Sequence, residues 1–273
     1  MYLSIVIPAY NEEQRIAQTL QVVCAYIQQQ AYPAEIIVVD DGSQDKTVTM
    51  VRALDMLLPP AQLLQNDRNR GKGYSVRRGF LHARGEYLLF SDADLSSPIA
   101  EVEKLLAALH EPCDIAIGSR ALRGSRVEVH QPWYREQMGR LFNVFVQALA
   151  IRGIRDTQCG FKCFRREAAM EICRRMTTER FGFDVEMLYL AGRLGYRVRE
   201  VPVLWRNSPE TRVRVWQDSV SMLSDLLRIR WNDRCGRYGG AAITPSSRRG
   251  PASGGVLRNS AGAATVGRED DLP

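Results

Sequence analysis

Two carboxylates at alternate positions, Asp92 and Asp94, follow directly after the short apolar run 86–90. This run predicts a buried strand, and side chains at i and i+2 of extended chain point the same way, so both carboxylates can face one site. In open α/β sheets, ligands bind at the carboxyl ends of the strands. Two oxygen donors there suit Mg²⁺ or Mn²⁺ bridging to a diphosphate. Taken alone, however, so short a motif favours a simpler interpretation, a loop with an aspartate cap.

Polar side chains also end the first two predicted strands. The segment 8–12, Pro-Ala-Tyr-Asn-Glu, follows the first strand, and the segment 40–43, Asp-Asp-Gly-Ser, follows the second. Because parallel strands end at one edge of a sheet, three strand ends would bring these groups together. Tyr10 could stack on a base, Asp41 could accept hydrogen bonds from a base N–H or ribose hydroxyls, and Asp94 could hold a divalent ion. The three segments together predict a nucleotide-diphosphate site.

Glycine-rich phosphate-binding loops do not explain this pattern. No G-x-G-x-x-G motif follows the first strand, and the chain contains no Walker loop. The segment 70–73, Arg-Gly-Lys-Gly, is a weak signal for an anion-binding nest, and a glycine-rich helix start explains it about as well.

Alternating strand and helix patterns predict an α/β fold. Strands are predicted at 2–8, 35–39, 61–65, 86–90 and 114–118, with helices between them. This order requires a mostly parallel sheet with helices on both faces. The second half is less regular, with strands predicted at 161–164 and 197–204 and helices at 131–151, 183–194 and 215–231. A shift to Gly, Ala, Ser and Arg then predicts a disordered tail over 232–273 behind one domain over 1–231.

Composition narrows the class of protein. A chain of 273 residues with 45% hydrophobic content can bury a full core. The net charge of +6 comes mostly from dispersed arginines, which suits anionic substrates or an anionic membrane surface better than nucleic acid. The six cysteines form no regular framework, which indicates reduced thiols in the cytosol. No apolar run reaches about eighteen residues, so a soluble or peripheral protein is expected rather than a membrane-spanning one.

The predicted helix 215–231 is amphipathic. Its apolar residues share one stripe: Trp216, Val220, Leu223 and Leu227. A helix packed on the core is the default interpretation of this stripe. A helix resting on the membrane interface, with Trp216 and Trp231 near its ends, is the alternative.

Further segments carry a family resemblance. Four of them, 5–12 (IVIPAYNE), 38–43 (VVDDGS), 69–73 (NRGKG) and 92–95 (DADL), resemble the family 2 inverting glycosyltransferases, which have the GT-A fold. Within that family the chain is similar to the polyprenyl-phosphate (dolichyl-phosphate) sugar synthases. The segments that carry the closer resemblance are 118–120, 133–135, 156–162, 180–186 and 200–203. The resemblance implies a Rossmann-like, mostly parallel central sheet with helices on both faces.

The resemblance also implies a donor site for a nucleotide sugar. The residues that would line the base and ribose are Pro8, Ala9, Tyr10, Glu12, Val39 and Asp41. The other donor-binding residues are Lys72, Asp92, Ala93, Asp94, Arg206 and Arg212, the two arginines reaching the phosphates from a flexible loop. Asp92, Asp94 and Ser96 would hold Mg²⁺ or Mn²⁺.

An acceptor site is implied on the same grounds. Arg120 and Arg135 would hold the acceptor phosphate, although relatives often carry a hydroxyl residue where this chain has Gly139. Gln158 and Lys162 would be further acceptor contacts. The implied catalytic residues are Asp94, Arg120, Arg135 and Asp184. Two interpretations stay open, contact with sugar or acceptor and purely structural pairing, for Asp156, Gln158, Lys162 and Asp184.

The implied function is a metal-dependent, inverting transfer of glucose from UDP-glucose to a polyprenyl phosphate. Three alternatives stay open: GDP-mannose as the donor, a soluble or protein acceptor, and a non-catalytic nucleotide-sugar-binding scaffold. A lipid acceptor would require docking on the cytoplasmic face of a membrane, through helix 215–231 or the helix that begins at Trp133. Recruitment by a membrane protein and a homo-oligomer are also open, whereas a nucleic-acid partner is not expected.

Overall fold

The computed structural model describes residues 1–55, 61–129, 143–147, 150–151, 153–206 and 215–239. Its strands are β1 (Leu3–Ala9), β2 (Ala34–Asp40), β3 (Ala61–Gln65), β4 (Tyr87–Ser91), β5 (Ile115–Ser119), β6 (Arg126–Val129), β7 (Phe161–Arg165), β8 (Val198–Pro202) and β9 (Leu204–Arg206). Seven of them form one sheet, and β6 and β9 pair separately.

The large sheet is mostly parallel, as predicted. Its strand order is β3-β2-β1-β4-β7-β5-β8, and β7 is antiparallel to both of its neighbours. The remaining pairs are parallel. Parallel strands covered on both faces consist of nearly continuous apolar residues, and β1, β2 and β4 are almost entirely buried.

Helices cover both faces of this sheet. They are α1 (Ile16–Gln28), α2 (Thr47–Asp55), α3 (Lys72–His82), α4 (Val102–His110), α5 (Arg166–Arg175), α6 (Phe183–Arg193) and α7 (Val215–Arg234). Alternate residues of β1 face opposite sides, so Ile5 and Ile7 pack with Leu20 of α1 while Val6 packs with Phe80 of α3. Helices α1, α2 and α4 lie on the first face, and α3, α5, α6 and α7 on the second.

The second half departs from the predicted elements in two places. The single strand predicted at 197–204 is divided into β8, which pairs with β5, and β9, which pairs with β6. Strand β6 was not predicted, because it has only four residues and two of them are charged. The helix predicted at 131–151 lies mostly outside the described residues, although 143–147 are helical. Over the described part of the chain, no helix has both the length and the apolar content needed to cross a bilayer.

In the described part of the last helix, the buried residues do not include Leu227, which was predicted to face the core. Leu226 and Ile229 are buried against the core, whereas Leu227 is 59% exposed. The placement of Leu227 on a core stripe was therefore wrong, and the side chains of 215–223 lie outside the described residues. The direction in which α7 meets its neighbours selects the buried stripe, and periodicity alone does not contain that direction.

The folded chain also extends beyond residue 231. Asn232 is buried, and its Nδ2 donates to Thr177 Oγ1 at 3.0 Å. Tyr238 is 1% exposed, and its hydroxyl donates to Glu186 Oε1 at 2.7 Å. Glu186 is itself fully buried on α6 and accepts the backbone N–H of Thr178. The boundary predicted from composition therefore falls about two helical turns too early.

We expect a chain ending at Gly239 to keep the free energy of unfolding of the full chain. A chain ending at Trp231 should have a much lower free energy of unfolding. Removal of the buried Tyr238 ring should cost about 3–5 kcal/mol, the usual range for loss of a buried aromatic. Urea unfolding of the three chains measures this difference. Tyr238→Phe is the matched control, because it keeps the ring and should lose only about 1–2 kcal/mol. Equal stability of the two shortened chains would contradict the packing described here.

Candidate active site

The three polar strand ends do meet at one edge of the sheet. Strand β1 lies between β2 and β4, and the three strands are parallel. The backbone N–H of Asp41 donates to the carbonyl of Ala9 at 2.8 Å, which joins the ends of β2 and β1. The predicted convergence is thus present in the structure.

The loop after β1 is fastened to the loop after β2. Asn11 has a φ of 53° in the left-handed region, its N–H donates to Ser43 Oγ at 2.8 Å, and its Oδ1 accepts the N–H of Gln44 at 2.8 Å. The N–H of Glu12 donates to Thr47 Oγ1 at 2.7 Å. Tyr10, next to this junction, stays half-buried and presents part of its surface at the edge.

Asp41 organises the loop that precedes α3. Its carboxylate is buried and accepts hydrogen bonds from Asn66 Nδ2 at 2.7 Å and from the backbone N–H groups of Arg70 and Gly71 at 3.0 and 2.8 Å. The segment 70–73 therefore does bind an anion, but that anion is the chain's own carboxylate. It also starts a helix, so both interpretations of this segment apply. The predicted contact of Asp41 with a base stays a prediction.

Lys72, in the first turn of α3, forms an ion pair with Asp92. Its Nζ lies 2.5 Å from Asp92 Oδ1, and both side chains are partly exposed. Burial lowers the pKa of Lys72, but the charges of Asp92 and Asp184 outweigh this effect and raise it. Burial raises the pKa of Asp92, and Lys72 opposes that shift. A Cβ at Gly160 would lie 1.9 Å from Asp92 Oδ2, so a side chain here would displace this carboxylate from its position.

The oxygen atoms beside this pair fit a hard divalent cation. Asp94 accepts hydrogen bonds from the N–H of Ser96 at 2.9 Å and from its hydroxyl at 2.8 Å. Among the described residues, no three His, Cys, Asp or Glu side chains converge on one point. The chain would therefore supply two carboxylates and a hydroxyl, leaving positions for water and phosphate oxygens, as Mg²⁺ and Mn²⁺ prefer.

Lys162 and Asp184 form a buried pair beneath the edge. Lys162 Nζ is fully buried, donates to the carbonyl of Cys159 at 2.6 Å and contacts the Asp184 carboxylate. This amine and that of Lys72 both lie over the Phe90 ring, 5.8 and 5.1 Å from its centroid. The expected contact of Lys162 with the acceptor is thus wrong, because its amine has no exposed surface. Asp184 is also buried and acts on Lys72 and Asp92 through its charge.

Two carboxylates hold Arg120 at the end of β5: Asp156 binds it directly, and Glu200 binds the backbone of Asp156. Its Nε and Nη2 donate to the two oxygens of Asp156 at 2.7 and 2.8 Å, and its backbone N–H donates to Oδ2 at 2.9 Å. Burial raises the pKa of Asp156, but Arg120 outweighs it and holds that pKa below its usual range. Glu200 of β8 accepts the N–H groups of Arg155 and Asp156, both at 2.9 Å. The guanidinium remains partly exposed at this fixed position.

Four other predicted site residues remain. Two of them are placed differently from the expectation, and two lie outside the described residues. Arg206 ends β9 rather than lying in a loop; its N–H donates to the carbonyl of Ser96 at 2.7 Å, and its Nε lies 2.5 Å from Glu128 Oε2. The side chain of Val39 is buried in the core, so only its backbone can reach the edge. Arg135, Arg212 and the rest of the segment 207–214 lie outside the described residues.

Sequence reasoning missed the supporting roles of Gly160 and Glu200. Both belong to segments that carry the family resemblance, at 156–162 and 200–203, but neither segment shows which residue contacts the site. These roles become visible only when the pairing of distant strands is known. Strand β8 pairs with β5 through Ile117 and Glu200, and β7 begins directly after Gly160.

Comparisons with known proteins agree with this geometry. Residues 4–173 match the family model for glycosyl transferase family 2. Dolichyl-phosphate beta-glucosyltransferase of Dictyostelium discoideum is 37% identical over 243 residues, covering 85% of this chain and 74% of that protein. The Saccharomyces cerevisiae protein of the same name is 35% identical over 257 residues, covering 87% and 77%.

A solved structure supports the fold. Glucosyl-3-phosphoglycerate synthase from Mycobacterium tuberculosis, in complex with Mn²⁺, uridine-diphosphate-glucose and phosphoglyceric acid, superposes with a TM-score of 0.62 at 19% identity, covering 86% of this chain and 80% of that one. The sequence relatives are enzymes, which favours catalysis over a scaffold role. The chain therefore belongs to glycosyltransferase family 2 and is a GT-A hexosyltransferase similar to the dolichyl-phosphate beta-glucosyltransferases.

Proposed function

We propose that this enzyme transfers glucose from UDP-glucose to a polyprenyl phosphate of the dolichyl type, with inversion at the anomeric carbon. The names of its sequence relatives support both the sugar and the acceptor. The structural observation that supports the proposal is the Arg120 guanidinium, which Asp156 fixes at the end of β5, at the same edge of the sheet as Asp92. An anionic acceptor would meet a positioned cation beside the carboxylates that serve the donor.

On the donor side, Asp92, Asp94 and Ser96 would hold Mg²⁺ or Mn²⁺. When bound, this cation neutralises the diphosphate and stabilises the nucleoside diphosphate as it leaves. Lys72 adds a positive charge at the same edge, since its amine already lies against Asp92. Tyr10 would stack on the base, and Asp41 would act through the loop that it holds.

On the acceptor side, the nucleophile needs little help to ionise. The second pKa of a phosphate monoester is about 6, so the attacking oxygen is already charged near neutral pH. A strong general base is therefore unnecessary, and Asp184 can stay paired with Lys162 and stabilise positive charge at Lys72. The main task of the chain is to bring two anions together, and Arg120 contributes to it directly.

The test of this proposal is transfer of labelled glucose from UDP-glucose to a short-chain polyprenyl phosphate. Polyprenol without the phosphate, 3-phosphoglycerate as a soluble acceptor, and GDP-mannose as the alternative donor are run in parallel. We expect product only with UDP-glucose and the lipid phosphate. Equal transfer to the phosphate-free alcohol, or transfer only to a soluble acceptor, would refute the proposed acceptor, and preference for GDP-mannose would refute the proposed donor.

Asp94→Asn should lower transfer at least about 100-fold, the usual cost of losing one preorganised electrostatic group. The change removes charge and preserves volume, so the thermal midpoint should stay within a degree or so of the parent value. The stabilisation that Mn²⁺ with UDP-glucose gives in a thermal-shift assay should disappear with activity. Glu167→Gln, an exposed carboxylate on α5, is the matched control. Parental activity of Asp94→Asn with Mn²⁺ would remove Asp94 from the site.

Arg120→Lys should raise KM for the acceptor about tenfold or more, because lysine cannot replace the two-pronged contact with Asp156. Glu200→Gln should raise the same KM by a smaller factor. The two oxygens of Glu200 accept hydrogen bonds from two backbone N–H groups, and glutamine has only one oxygen, so one N–H group would lose its acceptor. KM for UDP-glucose should change less than about twofold in either variant. Glu111→Gln is the matched control, because Glu111 pairs with Arg199 on the same strand as Glu200. Equal shifts in both KM values would show that these residues support the whole site and not the acceptor.

A further inference from the structure

Three large apolar side chains on α7 and just before α6 are exposed. Trp231 is 63%, Leu227 59% and Phe181 40% accessible to solvent. Leu227 and Trp231 are one helical turn apart on α7 and therefore lie on one side of the helix. With Arg180 and Arg228, these residues make up what we call the α7 surface.

Over residues 224–239, where the side chains are described, the exposed side of α7 is apolar and basic and carries no acid. From 224 to 239, the exposed residues are Ser224, Leu227, Arg228, Arg230, Trp231, Arg234, Cys235, Gly236, Arg237 and Gly239. The opposite side contributes Leu226, Ile229 and Asn232 to the interior. Asp233 faces Arg193 and Tyr189 on α6 and does not offset the positive charge of the exposed side.

The segment 180–182 joins this surface through Gly182. A Cβ at Gly182 would approach Asp225 Cβ to 2.5 Å, so the chain before α6 lies directly against α7. Burial raises the pKa of Asp225, while Arg228 and Arg180 both oppose the shift, so both guanidiniums lie near this carboxylate. Phe181, between Arg180 and Gly182, is thus a neighbour of the turn of α7 that carries Leu227 and Arg228.

The same segment reaches the active site. The N–H of Tyr74 donates to the carbonyl of Glu179 at 3.0 Å, and a Cβ at Gly71 would come within 2.5 Å of that oxygen. Residues 71–74 begin α3 and include Lys72, the partner of Asp92. The α7 surface is therefore connected, through Glu179, to the backbone that positions Lys72.

We propose that the α7 surface docks on an anionic lipid bilayer. Tryptophan rings favour the headgroup region, and guanidiniums pair with lipid phosphates. A permanent protein interface would instead have a centre depleted of charge, whereas here the exposed Arg228 directly follows Leu227 on α7. This inference rests on the proposed function, because docking at this position would bring the edge of the sheet to a lipid-borne acceptor phosphate.

The experiment is co-sedimentation of the full chain with phosphatidylcholine vesicles, with and without phosphatidylglycerol. We expect binding to the anionic vesicles, and release by salt because the charge contribution is screened. Leu227→Ser with Trp231→Ser should reduce the partition coefficient at least tenfold. The matched control is Val22→Ser with Leu81→Ser, which removes two similarly exposed apolar side chains, 44% and 42%, from α1 and α3. Unfolding midpoints confirm that both double variants fold.

Two outcomes would overturn the docking surface. One is parental vesicle binding by the Leu227/Trp231 variant, and the other is self-association of the parent, by sedimentation, that the same variant abolishes. With a water-soluble short-chain acceptor, the Leu227/Trp231 variant should keep parental turnover and lose rate only on acceptor embedded in vesicles. If the parent binds anionic vesicles through this surface but transfers to no polyprenyl phosphate, the proposed function fails and the docking surface stands.

Discussion

The active-site edge depends on one physical constraint: a carboxylate can leave water only beside a group that neutralises it or donates hydrogen bonds to it. Asp41 satisfies this constraint with the backbone N–H groups of Arg70 and Gly71, and Asp92 satisfies it with the Lys72 amine. The first arrangement sets up the second, because the turn that Asp41 holds is the turn that begins α3. A substitution at Asp41 would therefore disturb the ion pair between Lys72 and Asp92, because it would alter the turn that begins α3.

The charged residues fall into a supporting set and a working set, separated by exposure. Asp41, Asp156, Lys162 and Asp184 are buried; the last three have partners of opposite charge, and Asp41 accepts hydrogen bonds from neutral donors. Lys72, Asp92 and Arg120 keep part of their surface in water and can therefore meet a ligand. Each working group is held by, or interacts with, a supporting one: Arg120 by Asp156, and Lys72 through the charge of Asp184. The protein thus fixes exposed charges by pairing them with buried ones, which limits the rotamer freedom lost when a ligand binds.

Much of this architecture is readable in the sequence, and the failures share one cause. Apolar strands and polar strand ends are local patterns, so β1, β2 and β4 and the meeting of Tyr10, Asp41 and Asp92 could be predicted. Lys162 could not be placed correctly, because a lysine in an apolar segment has the same sequence pattern whether its amine points outward or inward to Asp184. Leu227 was misassigned because the buried stripe of α7 depends on how that helix meets α6. Tyr238 was missed because a single aromatic residue among glycines is a contact only when Glu186 is in reach.

The antiparallel strand β7 has a consequence for the order in which this chain can fold. β4 and β5 follow each other along the described sheet strands but are not paired, because β7, which begins at Phe161, lies between them. A nascent chain that has emerged only as far as β5 therefore has an open edge on β4, and such edges invite pairing with other chains. When β7 enters, it closes that edge and brings Gly160 against Asp92 in the same step. Pairing at the edge of β4 and placement of Gly160 beside the donor carboxylate therefore occur together, before β8 joins β5.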